Sequence, residues 1–186
     1  EMKYYKKIIG ERLYLSPINS EEVDPYLEWM NEDRTLAINF GQYPLMVSSK
    51  KDLNWLYEPP KNMHCFAIVR LDDDMLLGSI SLHNIDHLNR NAFIGIFIGG
   101  EEQRGKGYGA EAIRLMLNYG FKTMNLHSVN LTVHSDNLAG ISCYKKAGFV
   151  EVGRLPEVRF IDGRYVDKIY MSILEHEFSS DRPPVK

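Results

Sequence analysis

The chain has 186 residues, 44% of them hydrophobic and 25% charged, with a net charge of −3 and a pI near 6.1. That is enough for one domain with a real core, and it excludes a general nucleic-acid binder, which needs a dominant basic face. No apolar run approaches the roughly 18 residues of a membrane span, and no signal core follows the cations of EMKYYKKIIGER, so a cytoplasmic protein without a membrane partner is expected.

In chain order, ERLYLSPI alternates as a first strand, with Leu13 and Leu15 opposite Arg12 and Tyr14. SEEVDPYLEWMNE places Val23, Tyr26, Leu27 and Met30 at helical spacing, started either by Ser20 or by Asp24 ahead of Pro25. SSKKDLNWLYE is a second short helix, stopped by Pro59 and Pro60. CFAIVR, LLGSISLHNI and NAFIGIFIG follow as strands of an antiparallel meander, joined by LDDDM and DHLNR. A long helix over about 108–123 buries a wide face: Ala112, Leu115, Met116 and Tyr119, with Ile113, Leu117 and Gly120 beside them. HSVNLTVHSD is the next strand, with Val129, Leu131 and Val133 on one side, and LAGISCYKKAGF is a short helix that Gly148 terminates. FVEVGRL and RYVDKIYMSIL flank Asp162-Gly163 as a closing hairpin. The expected fold is a single α/β (α+β) domain over 1–178 with a frayed tail over 179–186. Its sheet is mixed and mostly antiparallel, with about six to seven strands and helices on both faces.

Cys65 and Cys143 form no disulfide framework and suit a reducing compartment. Cys143 reads as a small buried hydrophobe, with a nucleophile as the alternative. His83 and His87 lie four apart in HNIDH but lack the Glu of H-E-x-x-H and follow a strand, so no metal site is expected.

The segment EEQRGKGYGAEAIRLMLNYGF holds Gly105, Gly107 and Gly109 within five residues, with Arg104 and Lys106 among them, directly before a helix. Glycine permits positive φ and close approach, and successive N–H groups leading into a helix N-terminus cradle an oxyanion. A flexible turn with solvated cations is the plain alternative. The NTPase P-loop fails because Gly107, not Ser or Thr, follows Lys106. G-x-G-x-x-G/A is met formally by Gly105, Gly107 and Ala110. The strands before it form a meander, however, and too little chain follows Asp136 for a second nucleotide half. RGKGYG also satisfies Q/R-x-x-G-x-G/A through Arg104, Gly107 and Gly109. With the strand FIGIFIG before it, the long helix after it, VNLTVHSDN and AGISCYKKAGF, the chain resembles the GNAT-type N-acetyltransferases over about 63–174. Asn137 to Phe149, with Tyr144, Lys146 and Gly148, looks like that family's second signature. The likeness falls in the branch of ribosomal-protein alanine N-acetyltransferases and spermidine acetyltransferases.

The resemblance implies two central strands that splay apart and acetyl-CoA as co-substrate. The implied activity moves the acetyl group to a primary amine of a small molecule or protein N-terminus, by direct attack on the thioester. It assigns the diphosphate to Arg104, Gly105, Lys106, Gly107, Tyr108, Gly109 and Ala110. The pantetheine arm goes to Phe97, Ile98 and Gly99, with Asn137 on an amide and the Ile98 N–H near the oxyanion. Gly95 and Gly99 have an alternative, room for an aromatic side chain from a helix. Tyr144 is implied to protonate the leaving thiolate, with a core tyrosine as the alternative; Asn137 could equally be a helix cap. Many relatives carry a Glu base where Phe93 stands, leaving Glu101, Glu102, Asp86, His83 and Asp136 as unranked candidates. Glu21, Glu22, Asp24, Glu28, Glu32 and Asp33 suit either a cationic acceptor or a solvated helix face. A non-catalytic acyl-CoA-binding module and a nucleotide-dependent oxidoreductase are the competing functions, and a homodimer stays open.

Overall fold

The computed structural model describes residues 3–39 and 49–179. Eight strands form one sheet in the order β1-β2-β3-β4-β5-β6-β8-β7. They are β1 (Ile8–Ile9), β2 (Leu13–Pro17), β3 (His64–Arg70), β4 (Leu76–Asp86), β5 (Asn91–Ile98), β6 (Ser128–His134), β7 (Val150–Ile161) and β8 (Arg164–Leu174). The count exceeds the expected six to seven because β1, two residues long, pairs along β2. Tight turns join β3 to β4 and β4 to β5, which makes those pairs antiparallel. β5 and β6 are parallel, because the chain crosses over through the helix α4 (Tyr108–Asn118) between them. Asp162 and Gly163 both hold positive φ, 50° and 77°, the geometry a tight hairpin turn needs between β7 and β8.

The parallel pair is short. Asn91, Ala92 and Phe93 pair with Ser128, Val129 and Asn130, and no residue beyond pairs across. β5 stays bound to β4 as far as Ile98, and β6 to β8 as far as His134. The sheet therefore opens in its middle while both walls are held from outside.

Helices cover both faces, as expected. On one, α4 buries Ala112, Ile113, Met116 and Leu117 in a cluster with Ala92, Ile94, Val129, Leu131 and Val133. α5 (Leu138–Ala147) lies beside it and ends at Gly148, whose φ of 105° lets Phe149 N–H reach back to the Tyr144 carbonyl. On the other face, α1 (Asp24–Glu32), α2 (Arg34–Asn39) and α3 (Asn54–Tyr57) bury Val23, Tyr26, Met30, Leu36, Leu53 and Leu56 around Phe97. Tyr26, Trp29 and Phe97 meet edge to face, with centroids 5.5–6.3 Å apart.

Four local expectations change. α4 stops at Asn118, and Tyr119–Thr123 form one π turn rather than the last turn of the helix. Neither Ser20 nor Asp24 caps α1: Asn19 caps a 3-10 turn over Ser20–Glu22, and α1 starts at Asp24 with Pro25 in its first turn. α2 had no signal in the periodicity. Finally, β2 buries both faces instead of one. Tyr14 packs with Tyr4, Ala67 and Val69, and its hydroxyl donates to Asp74 at 2.7 Å. All of the expected tail except residue 179 lies outside the described residues.

Gly99 is where packing is tightest: a Cβ there would enter the Trp29 indole. Gly99→Ala is expected to cost about 1–3 kcal/mol of stability by overpacking, read as a lower urea midpoint at unchanged m. An unchanged midpoint would mean that Trp29 does not pack there.

Candidate active site

Backbone alternation decides which groups of β5 face the opening. The Gly99 N–H donates to the Leu77 carbonyl on β4 at 2.8 Å, so the peptide groups of Phe97 and Gly95 turn the same way. Those of Ile94, Ile96 and Ile98 point away from β4, into the gap. The Ile98 carbonyl accepts from Arg104 Nε at 3.0 Å, leaving the Ile96 and Ile98 N–H groups directed at the opening. Of Phe97, Ile98 and Gly99, Ile98 alone directs its amide into the gap, because successive residues of a strand turn their amides to opposite edges. Phe97 is a core side chain, 5% exposed, and Gly99 makes room for Trp29, the aromatic alternative weighed for it. Ile96 directs its amide the same way as Ile98. Gly95 differs from Gly99, since a Cβ there would meet only Ser81 and His83 at ordinary contact distances.

The glycine turn follows a short 3-10 turn over Glu101–Gln103. Gly105 and Gly107 hold φ of 73° and 85°, which side-chain-bearing residues rarely adopt. Gly109 does not, and a Cβ there would meet Cys143 on α5 only at an ordinary contact distance of 3.5 Å. The backbone N–H groups of residues 105–110 donate to no protein group among the described residues, and this stretch leads into the first turn of α4. Lys106 is exposed beside them. Arg104 behaves differently from expectation: its guanidinium pairs with Asp33 at the end of α1 and braces the Ile98 carbonyl. Its charge is answered inside the protein. Sequence reading missed Arg12, the residue just before β2. Arg12 Nη1 donates to the Lys106 carbonyl at 2.9 Å, its Nε pairs with Glu111 at 2.9 Å, and its guanidinium lies 5.1 Å from the Tyr108 ring centre. Arg12 and Lys106 stand 94 positions apart, so no local pattern could signal the contact.

On the face away from α4, a cavity of about 520 Å³ opens where the strands part. Phe93 and Asn130 are register partners, so Gly95 on β5 and Thr132 and His134 on β6 share this face. The cavity is lined by His83, Phe93, Gly95, His134 and Lys168, and also by Tyr144 from α5. Tyr144 packs with the core on the α4 side, edge-on to Phe149 with centroids 6.0 Å apart, so it spans the opening between the two faces.

Burial pushes the Tyr144 phenol well above its ordinary value, with Cys143 adding to the shift, so it is protonated at neutral pH. Desolvation holds His83 below 6.5, leaving it neutral and able to accept a proton. His134 is also lowered, by desolvation first and then by Arg159, with Lys168 adding to it against Asp136. Both its ring nitrogens lie 3.1 Å from Arg159 Nη1. Of the five candidate bases, His83 alone lines the cavity. Glu101 and Glu102 are exposed on the 3-10 turn, Asp86 holds Asn89, and Asp136 pairs with Arg164 at 3.1 Å. His134 was overlooked, although alternation from Val133 already placed it on this face.

Asn137 caps α5, its Oδ1 accepting from Gly140 N–H at 2.9 Å. Cys143 packs against the core and burial raises its thiol, the behaviour of a packing residue. Of the acidic residues near α1, Glu22 pairs with Lys3 at 2.6 Å, Asp24 with Lys50 at 3.0 Å and Asp33 with Arg104; none lines the cavity. Among the described residues no three His, Cys, Asp or Glu side chains come together as metal ligands.

Residues 12–150 match the acetyltransferase (GNAT) domain family. The spermidine N(1)-acetyltransferase of Vibrio cholerae is 39% identical over 157 residues, 82% of this chain and 88% of that protein. The putative ribosomal N-acetyltransferase YdaF of Bacillus subtilis is 33% identical over 112 residues, 60% and 61% of the two chains. A crystal structure of the V. cholerae spermidine N-acetyltransferase in complex with CoA and spermine superposes with a TM-score of 0.80, at 29% identity, covering 90% of this chain and 98% of that one. The chain belongs to the GNAT acetyltransferase family. It is an acetyl-CoA-dependent N-acetyltransferase, which sets aside the non-catalytic module and the oxidoreductase.

Proposed function

We propose that this enzyme acetylates a small-molecule primary amine held in the cavity between β4, β5 and β6. The observation that carries the reading is the meeting, at one opening in the sheet, of outward amides on β5, a protonated phenol from one side and a neutral imidazole from the other. Relatives named for spermidine, and the neighbour holding CoA and spermine, support a small amine as the acceptor class.

The residues suit the coenzyme in three places. The N–H groups of 105–110, with the α4 N-terminus and Lys106, offer a diphosphate several donors and a positive potential. The amides of Ile96 and Ile98 extend the donor row along the gap, where a pantetheine amide can pair as a strand would. Asn137 keeps its side-chain NH2 after capping α5. Acetyl-CoA supplies an acetyl group activated as a thioester.

Four functions then fall to the chain's own groups. The Ile98 N–H points to where negative charge develops on the acyl oxygen. His83 takes the proton that the attacking amine nitrogen loses as its bond to the acyl carbon forms. Tyr144 gives its hydroxyl proton to the sulfur as the carbon–sulfur bond breaks. Phe93 and Ile94 line the cavity and keep water from the reacting carbon. His83 is preferred to His134 because a proton on His134 would sit against Arg159.

Tyr144→Phe is expected to lower kcat roughly ten- to a thousand-fold with little change in coenzyme affinity; an equally fast variant would remove Tyr144 from the mechanism. The pH dependence follows from His83. Its pKa is depressed, so its neutral form persists through pH 7, and kcat/KM falls only as pH drops through a value below 6.5. His83→Gln should lose about 10²-fold in kcat/KM and lose that acid limb. A limb that survives in the glutamine variant places the base elsewhere. Gly107→Ala forces an unfavourable φ and meets Arg12 Nη2 at 3.2 Å. It should weaken coenzyme binding about tenfold by tilting the amides, read as a smaller thermal shift on adding CoA. A full-size shift would place the diphosphate elsewhere.

A further inference from the structure

We infer that Gly95 is a specificity-determining residue of the acceptor site: its missing side chain leaves the seat in which the acceptor's reacting nitrogen meets His83. The inference rests on the cavity being the acceptor site and on His83 being its base. Ser81 and His83 on β4, with Phe93 and Gly95 on β5, form one patch of the cavity wall. Ser81 stands opposite Gly95 and His83 opposite Phe93. The Phe93 ring stacks on the His83 imidazole, with centres 6.0 Å apart and planes at 28°. A Cβ on Gly95 would stand 3.7 Å from His83 Nε2 and 3.5 Å from Ser81 Oγ.

The fold does not ask for a glycine at this position. β5 is paired with β4 on both sides of Gly95, and its φ lies outside the left-handed region. Among the described residues a Cβ there would make only ordinary contacts. Two nearby glycines differ: a Cβ on Gly78 would strike the Phe97 carbonyl, and one on Gly99 would enter the Trp29 indole. A glycine inside a strand weakens it unless another group needs the space. Gly95 is only partly buried, and the space it leaves lies in the cavity. An amine nitrogen that hands its proton to Nε2 stands about 2.6–3.2 Å from it. Carbon atoms in contact keep about 3.5–4.0 Å between them. A methyl group 3.7 Å from the same Nε2 would therefore crowd the nitrogen or the carbon that bears it. The crowding falls at the reacting end, so it does not depend on whether a plain butyl chain or the charged remainder of spermidine follows. Gly95 thus admits the amine to the base and takes no part in the proton transfer.

The test measures thiol release from acetyl-CoA with butylamine and with spermidine, for the unmodified enzyme, Gly95→Ala and Gly95→Val. Expected kcat/KM falls about tenfold or more in Gly95→Ala and about a hundredfold or more in Gly95→Val, by the same factor for both amines. The thermal shift on adding acetyl-CoA should keep its size. The urea midpoint of Gly95→Ala should equal or exceed that of the unmodified enzyme, because alanine suits a strand better than glycine. In His83→Ala the ring is gone and the nitrogen has room to move aside, so adding Gly95→Ala should cost less than about threefold. Full kcat/KM in both Gly95 variants overturns the inference, as does a loss confined to one amine or a methyl group equally costly without His83. A lower urea midpoint in Gly95→Ala also overturns it, since the glycine would then serve packing, and so does a lost coenzyme shift. Release with neither amine, from unmodified enzyme that still binds acetyl-CoA, overturns instead the reading of the cavity as a small-amine site.

Discussion

β5 and β6 share three register pairs and then separate, and each stays bound along its other edge to a full antiparallel partner. An open seam inside a sheet is unusual, because unpaired peptide groups cost on the order of 1–3 kcal/mol each when they lack water or a partner. Here the seam persists because β4 and β8 hold its walls, while α1 and α4 hold the strand ends. Every proposed role depends on it. The Ile96 and Ile98 amides are available only because β6 turns away, and Tyr144 lines the same cavity as His83 only because the sheet between the two helical layers is interrupted.

Arg104 shows how the seam is kept at one width. In sequence it reads as a cation awaiting a phosphate. In the fold it ties the last carbonyl of β5 to Asp33 at the end of α1, so the strand end cannot drift toward β6. Arg12 does the equivalent for the glycine turn, joining the Lys106 carbonyl to Glu111 in the first turn of α4. Two arginines thus brace backbone groups near the proposed coenzyme site. The donors that remain there are mostly main-chain amides, which are fixed in direction and need no side-chain ordering.

Much of this was legible in the residues. The meander, the crossover helix, the cap at Gly148 and the Asp162-Gly163 hairpin each follow from a local rule of spacing or turn chemistry. The glycine turn was also readable, since Gly105 and Gly107 need their positive φ whatever the ligand. What escaped depends on contacts between distant segments. Arg12 meets Lys106 across 94 residues, and Trp29 fills the space above Gly99 across the sheet. Strand alternation alone already divides the amides of Phe97 and Gly99 from those of Ile96 and Ile98. His83 could not be ranked over four carboxylates until the cavity separated it from them. The acids of α1 were ambiguous for the same reason: a charge run says nothing of its partners, and three of these acids have cations of their own.

The central claim is that the free edge of β5 receives the coenzyme's pantetheine arm. Residue-resolved hydrogen exchange, with and without saturating acetyl-CoA, tests it most directly. The account predicts that the Ile96 and Ile98 amides exchange readily in the free protein and slow by about tenfold or more on binding. Phe97 and Gly99, already bonded to β4, should change little. Ile96 and Ile98 amides that exchange at the same rate with and without saturating coenzyme would contradict it.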